Sequence, residues 1–157
     1  PFYLTGDGEL KHNAGFEAYP SYKGVTNLTL WAGLAYDSAG GFEPHSVTVF
    51  DFWGQYQVDK KTMIAAEYAN KSAAKGSRGD NWLALLTYSF TDTVSGAARI
   101  SGEKVRDGGP SFIKYTVAPG VALTDKLTVR AEYSYYDYSD YTANKASFVG
   151  VQAFFKF

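Results

Sequence analysis

His12 and His45 are the only histidines in the chain, and there is no cysteine. Nucleophilic hydrolysis needs a base held against a hydroxyl or thiol and oriented by a third group. No such motif surrounds either imidazole, so the chain is expected not to be an enzyme. Thiolate metal sites are excluded and a histidine-ligated one is unsupported, so no metal and no organic cofactor is expected. The segments "GDGEL" and "RDGGP" are glycine-rich, but neither leads a strand into a helix, so neither reads as a phosphate cradle. "SRGD" at positions 77–80 contains an adhesion-type tripeptide, a pattern that recurs by chance. Asp137, Asp140 and Asn144 could gather Ca²⁺, yet they read better as a solvated loop.

One set of polar residues does form a pattern. Glu17, Asp51, Gln55, Glu67, Arg99, Glu103, Lys114, Arg130 and Glu132 each alternate with apolar neighbours. On the inner face of a barrel, a nearly balanced set of this kind suits a water-filled, weakly selective path for ions and small hydrophilic solutes. The competing arrangement pairs Arg99 with Glu103 and Arg130 with Glu132 as internal salt bridges that plug a narrow lumen. About 8 strands would favour the plug and about 16 the channel.

Such residues need strands to hold them, and strands are what the chain offers. Period-2 alternation dominates and helical periodicity is weak. About nine candidate strands follow, most about ten residues long. They start with "NAGFEAYPSY" and "LTLWAGLAY" and finish with the C-terminal stretch "VGVQAFFKF". The fifth, "NWLALLTYSF", is the least regular, because Leu83 and Leu85 share a face with Asn81, Thr87 and Ser89. The connections alternate in kind. "KGVTN", "DKK", "TDT" and "TDK" are short. "DSAGGFEPHS", "NKSAAKGSRGD", "RDGGPS" and "DYSDYTANKA" are longer and rich in turn formers. Residues 1–157 therefore read as a single up-and-down meander.

Composition narrows the surroundings. Net charge is −1, so no electrostatic case for nucleic acid exists. No run reaches the ~18–20 apolar residues of a membrane helix. No signal peptide is visible, and the chain starts at Pro1 without Met, as a processed or truncated chain would. A meander can close as a soluble barrel or sandwich, or as a membrane barrel. Aromatics make up 17% of the chain. Many stand toward the ends of the apolar faces: Tyr22, Tyr36, Tyr56, Tyr68, Trp82, Tyr88, Phe90, Tyr115, Tyr133 and Tyr135. Rings there suit the two headgroup levels of a bilayer. An arginine facing lipid at the midplane costs about 2–4 kcal/mol, which assigns Arg99 and Arg130 to the lumen. The fold class expected is all-β, a transmembrane antiparallel up-and-down β-barrel.

The tail resembles the C-terminal strand of bacterial outer-membrane β-barrels. Val149, Val151, Ala153, Phe155 and Phe157 follow the family's alternating pattern with a terminal aromatic. Ala153 is smaller than the pattern usually has. The resemblance implies that these residues are an assembly signal read by the barrel-assembly machinery. The texture of "FDFWGQYQVDKKTMIAAEY" and "LTDKLTVRAEYSYYDY" is similar to porins of the OmpL-like type. The resemblance implies a Gram-negative outer membrane, with outer-membrane lipid and lipopolysaccharide as surroundings and small hydrophilic solutes as cargo. Self-association as a homo-oligomer is left open. A C-terminal strand ending at the periplasm puts the short turns there and the longer connections outside. An odd strand count then implies the C-terminal strands of a larger barrel, N-terminally incomplete. The alternative function is a non-conducting barrel acting as structural anchor or adhesin.

Overall fold

The computed structural model of the chain describes residues 14–38, 46–73, 78–106, 108–109, 111–139 and 144–156. His12, His45, Ser77, Asp140 and Phe157 lie outside the described residues. The strands are β1 (Gly15–Ala18), β2 (Ser21–Tyr22), β3 (Leu28–Asp37), β4 (Val47–Gln57) and β5 (Thr62–Ala73). They continue with β6 (Gly79–Ser89), β7 (Val94–Val105), β8 (Ser111–Thr124), β9 (Leu127–Ser139) and β10 (Lys145–Phe155). Among the described residues there is no helix. The strands form one antiparallel sheet in the order β1-β3-β4-β5-β6-β7-β8-β9-β10, with β2 also paired to β3. The protein is thus an all-β, up-and-down sheet.

Two expectations about the strands need correction. The first strand is interrupted at Tyr19 and Pro20, leaving β1 and β2 as two pieces along β3. Proline has no N–H to give to the ladder, although its carbonyl accepts from the Ala32 amide at 3.1 Å. The strands also run further than their apolar stretches. β5 and β6 take in Asn70, Lys71 and Asp80, so the connection read as 70–80 shrinks to 74–78. A ladder needs only paired backbone groups, and polar side chains can carry it past the apolar zone. The asymmetry between the two ends is therefore milder than expected but keeps its sense: 38–46 at one end, 125–126 at the other.

The short turns share a device. In three of the four, a side-chain oxygen at the turn's start accepts the amides two and three residues on. Asp59 Oδ1 takes Lys61 and Thr62 at 2.7 and 2.9 Å. Thr91 Oγ1 takes Thr93 and Val94 at 3.2 and 2.9 Å. Thr124 Oγ1 takes Lys126 and Leu127 at 3.2 and 3.0 Å. These local bonds close the chain without needing a core. The remaining short turn ends at Asn27, whose φ of 66° is a left-handed conformation that asparagine tolerates.

Register places the side chains on two faces. Gly33 faces Asp51, Trp53 faces Glu67, and Leu85 faces Arg99, which faces Thr116 in turn. Burial runs opposite to hydrophobicity. Val117 is 51% exposed between Thr116 at 6% and Ala118 at 7%. Phe52, Leu86 and Ile64 on the apolar face are exposed too, while Ala65 and Ser134 on the polar face are buried. The polar face is therefore the inner, concave one. A sheet whose outer wall is apolar suits lipid, where side chains face hydrocarbon and backbone groups of neighbouring strands are paired within the ladder. Aromatics mark both levels of that wall, with Tyr22, Tyr56 and Tyr88 toward the short turns and Tyr36, Tyr68 and Trp82 toward the other end. The outer edges of the sheet, at β1/β2 and β10, are not paired with one another among the described residues.

The turn device is testable by pH. The Lys61 amide, followed by the bonds from Thr62, holds the Asp59 carboxyl below its ordinary value. A depressed carboxylate adds stability that is complete above that ordinary value and is lost as pH falls through the lowered one. Asp59→Ala should therefore destabilise the folded protein at neutral pH, with the penalty shrinking as pH falls below about 4. Thr91→Ala should cost about 1 kcal/mol at every pH. Urea unfolding in lipid vesicles at several pH values checks both; a pH-independent Asp59→Ala penalty would remove the carboxylate's role.

Candidate pore lining

All nine polar positions picked from the sequence lie on the inner face. Glu17 stands opposite Ala35, Gln55 opposite Ala65, and Glu103 opposite Phe112. Lys114 stands opposite Tyr136, Glu132 opposite Gly150, and Arg130 opposite Gln152. What the sheet brings together is narrower than the list. Glu132 on β9 is a hub, with Lys114 Nζ at 3.7 Å and Arg99 Nη2 at 3.9 Å from its Oε1. The Ser134 hydroxyl donates to the same oxygen at 2.8 Å. Ser134 is fully buried, and its oxygen lies 2.9 Å from Thr116 Oγ1. Since Ser134 has spent its one proton on Glu132, Thr116 must donate to Ser134. A relay of two hydroxyls thus holds the carboxylate in place between two cations.

The internal pairs expected from sequence are not the ones formed. Arg99 turns to Glu132 across β8 rather than to Glu103 on its own strand. Positions i and i+4 of a strand lie about 13 Å apart, too far for a direct pair. Arg130 does not pair with Glu132; its guanidinium sits 5.4 Å from the centre of the Phe154 ring. Side chains two apart on one strand stand side by side and perpendicular to the sheet, which favours cross-strand partners.

Sequence reasoning missed the apolar divider on this face. Leu83 and Leu85 of β6 point inward between Glu67 on β5 and the residues of β7. To one side stand Asp51 and Glu67, and to the other Arg99, Lys114 and Glu132. Asp51 Oδ1 and Arg99 Nε are both buried without a hydrogen-bond partner, each on its own side. The irregular face of the fifth strand was the available signal. Also missed was one aromatic patch. Phe112, Tyr136 and Tyr138 cluster with centroids 5.7–5.8 Å apart, and Lys114 Nζ lies 4.9 Å above the Tyr136 ring. Trp31 lies opposite Trp53 in the register, with the Tyr19 ring edge-on to Trp31.

Val149, Val151, Ala153 and Phe155, expected from the resemblance to be an assembly signal, all point to the outer face of β10. Val149 and Val151 are 72% and 71% exposed, as befits residues on the wall of an edge strand.

No protein-family model matches the chain, and no curated protein matches it. Solved structures do. A KdgM porin superposes with a TM-score of 0.61 at 13% identity, over 94% of this chain and 78% of that one. The loop L8 deletion mutant of OmpT, an outer membrane protein of Vibrio cholerae, gives 0.69 at 14% identity, over 95% and 56%. A trimer form of the same OmpT gives 0.64 at 16%, over 91% and 56%. The chain spans a little over half the length of the OmpT structures. At these identities the likeness is one of fold: the neighbours are outer-membrane β-barrels.

The hydroxyl relay makes a stability prediction. Ser134→Ala leaves Thr116 without its acceptor and Glu132 without a donor, and should cost about 1–3 kcal/mol. Adding Thr116→Val should cost little more, because both partners are then gone. Equilibrium unfolding of the two variants in vesicles measures the coupling; strictly additive losses would rule the relay out.

Proposed function

We propose that the chain forms the wall of an outer-membrane porin that passes small hydrophilic solutes and ions by passive diffusion. The observation that carries this reading is the inner face itself. It is polar and charged, and its charges are divided by Leu83 and Leu85 into an acidic side and a mainly basic side. Opposite charges meet on β7, β8 and β9, where Glu132 pairs with Arg99 and Lys114; a plug would continue that ladder across β4, β5 and β6. Asp51 and Glu67 instead stand on β4 and β5, two to three strands from Arg99 and about 10–15 Å away along the sheet. Charges parted in this way act on ions that pass between them.

The fold-level likeness to a KdgM porin supports the same reading, as does the bacterial outer-membrane origin of the OmpT neighbours. No catalytic role is assigned to any residue. The edges at β1/β2 and β10, unpaired with one another among the described residues, fit the reading of the chain as the C-terminal part of a larger barrel. Val149, Val151, Ala153, Phe155 and Phe157 would then be what the barrel-assembly machinery reads. Self-association belongs to the same reading, since one of the OmpT neighbours is a trimer form.

Planar-bilayer recording of the full-length protein tests the pore. A charge about 10 Å from an ion in water contributes roughly 0.4 kcal/mol before screening. Replacing Arg99 and Arg130 together by Ser removes about 0.8 kcal/mol of bias against cations and as much in favour of anions, so the cation-to-anion permeability ratio should shift by up to about sixteenfold toward cations at low salt, and less at high salt. Asp51→Asn with Glu67→Gln should shift it toward anions. Absence of any conductance would leave the non-conducting anchor or adhesin as the function.

A further inference from the structure

A second set of charges lies on the opposite face, outside the barrel. At the long-connection ends of β6 and β7, Asp80 receives both Nε and Nη2 of Arg106, at 2.7 and 2.8 Å. The same carboxylate accepts the Tyr68 hydroxyl at 2.6 Å and the Asn70 amide at 2.7 Å. Arg106 is thereby fixed in a single orientation while its side chain stays 54% exposed. Lys104, directly opposite Asp80 in the register, is exposed beside it and has no ion pair among the described residues. Two cations against one carboxylate leave this patch positive.

Beneath it the wall is grooved. Gly54, Ala66 and Ala84 follow one another across β4, β5 and β6. Together with Ala98, they floor part of a largely apolar depression of about 850 Å³ that runs from Leu28 to Tyr135, is walled by larger side chains such as Leu86 and Tyr115, and also touches Gln55, Arg99 and Thr116 between them. The groove and the cations share strands. Ala84 lies four residues below Asp80, and Ile100 four below Lys104, or about 13 Å down the wall. Between them the Trp82 indole lies flat over Gly102, where a Cβ would come within 2.7 Å of the ring. Tryptophan and tyrosine at that height mark the boundary between headgroup and hydrocarbon.

We infer that this part of the outer wall is a lipopolysaccharide site, with Lys104 and Arg106 holding a lipid A phosphate and the Gly54–Ala66–Ala84 groove seating an acyl chain. An anionic headgroup about 13 Å above an apolar channel is the chemistry that a cation pair over a groove complements. The long-connection end places it in the outer leaflet. Guanidinium and ammonium suit a phosphate in different ways: Arg106 presents its remaining N–H donors in a fixed plane and Lys104 a compact charge. The site rests on the outer-membrane reading but not on the pore.

The test uses the full-length protein folded in detergent micelles. Native mass spectrometry would follow binding of bis-phosphorylated lipid A, dephosphorylated lipid A and phosphatidylglycerol. Bis-phosphorylated lipid A should bind at least about tenfold more tightly than either of the others. Lys104→Ser should lose about tenfold of that affinity, and Ala84→Phe, which fills the groove, should weaken both forms of lipid A. Lys104 is exposed and unpaired, so its removal should leave the fold intact. Heat-modifiable gel mobility reports the folded barrel separately, and its absence in the unsubstituted protein would count against the membrane reading. A folded barrel that binds the two forms of lipid A equally, that binds phosphatidylglycerol as tightly, or that ignores both substitutions overturns the site alone.

Discussion

Everything in this structure depends on an unbroken backbone ladder. In hydrocarbon no water is present to take an unpaired N–H or C=O, and each orphan costs several kcal/mol. A sheet can satisfy that condition strand by strand whatever its side chains are. The side chains are then free to sort by face, apolar outward and polar inward, which reverses the arrangement of a soluble domain. Val117, exposed between two buried neighbours, is the reversal in three consecutive residues. The same condition explains why β5 and β6 run on through Asn70, Lys71 and Asp80. On the proposed outer-membrane reading, the ladder continues to where water begins, and the residues that meet the headgroups can be polar.

The parts of the fold that depend on alternation were legible in the sequence. Face assignment needs only period 2, and every inner-face residue chosen on that basis lies on the inner face. Strand ends were not legible, because hydrogen-bond pairing past the apolar zone leaves no trace in hydropathy. The break at Pro20 was visible as a residue but not as an outcome: Pro119 sits within β8 without ending it, whereas Pro20 divides an edge strand. Side-chain partners were the least legible. Choosing Glu103 for Arg99 used proximity in sequence, whereas a sheet rewards proximity across strands. Glu132 becomes the partner only once the β7-β8-β9 register is fixed, and Thr116 and Ser134 gain meaning only through it.

The two faces of the wall use small residues for different ends. On the inside, Gly33 leaves room for Tyr19, whose ring would meet a Cβ at 2.8 Å. That lets the ring bridge the interruption between β1 and β2 and lean on Trp31. On the outside, Gly102 gives the Trp82 indole a flat bed, and Ala66 and Ala84 keep the groove below it open. In each case an aromatic covers backbone that a missing side chain exposes. This protects the ladder's hydrogen bonds where no neighbour would otherwise shield them.

The irregular fifth strand ties these observations to function. On a purely polar inner face, Leu83 and Leu85 look like errors. Their effect is electrostatic. An apolar strip offers no hydrogen bonds across which Glu67 and Arg99 could be bridged side chain to side chain, so the opposite charges stay apart. Had β6 carried polar residues there, a chain of pairs could run from Asp51 to Glu132 and the inner face would tend toward a closed network. With the strip in place, Glu132 must balance two cations by itself, and the Ser134 hydroxyl supplies the extra bond that holds it there. The hydroxyl relay and the leucine strip are therefore two halves of one arrangement: one fixes the carboxylate that Arg99 and Lys114 share, and the other keeps Asp51 and Glu67 from reaching it.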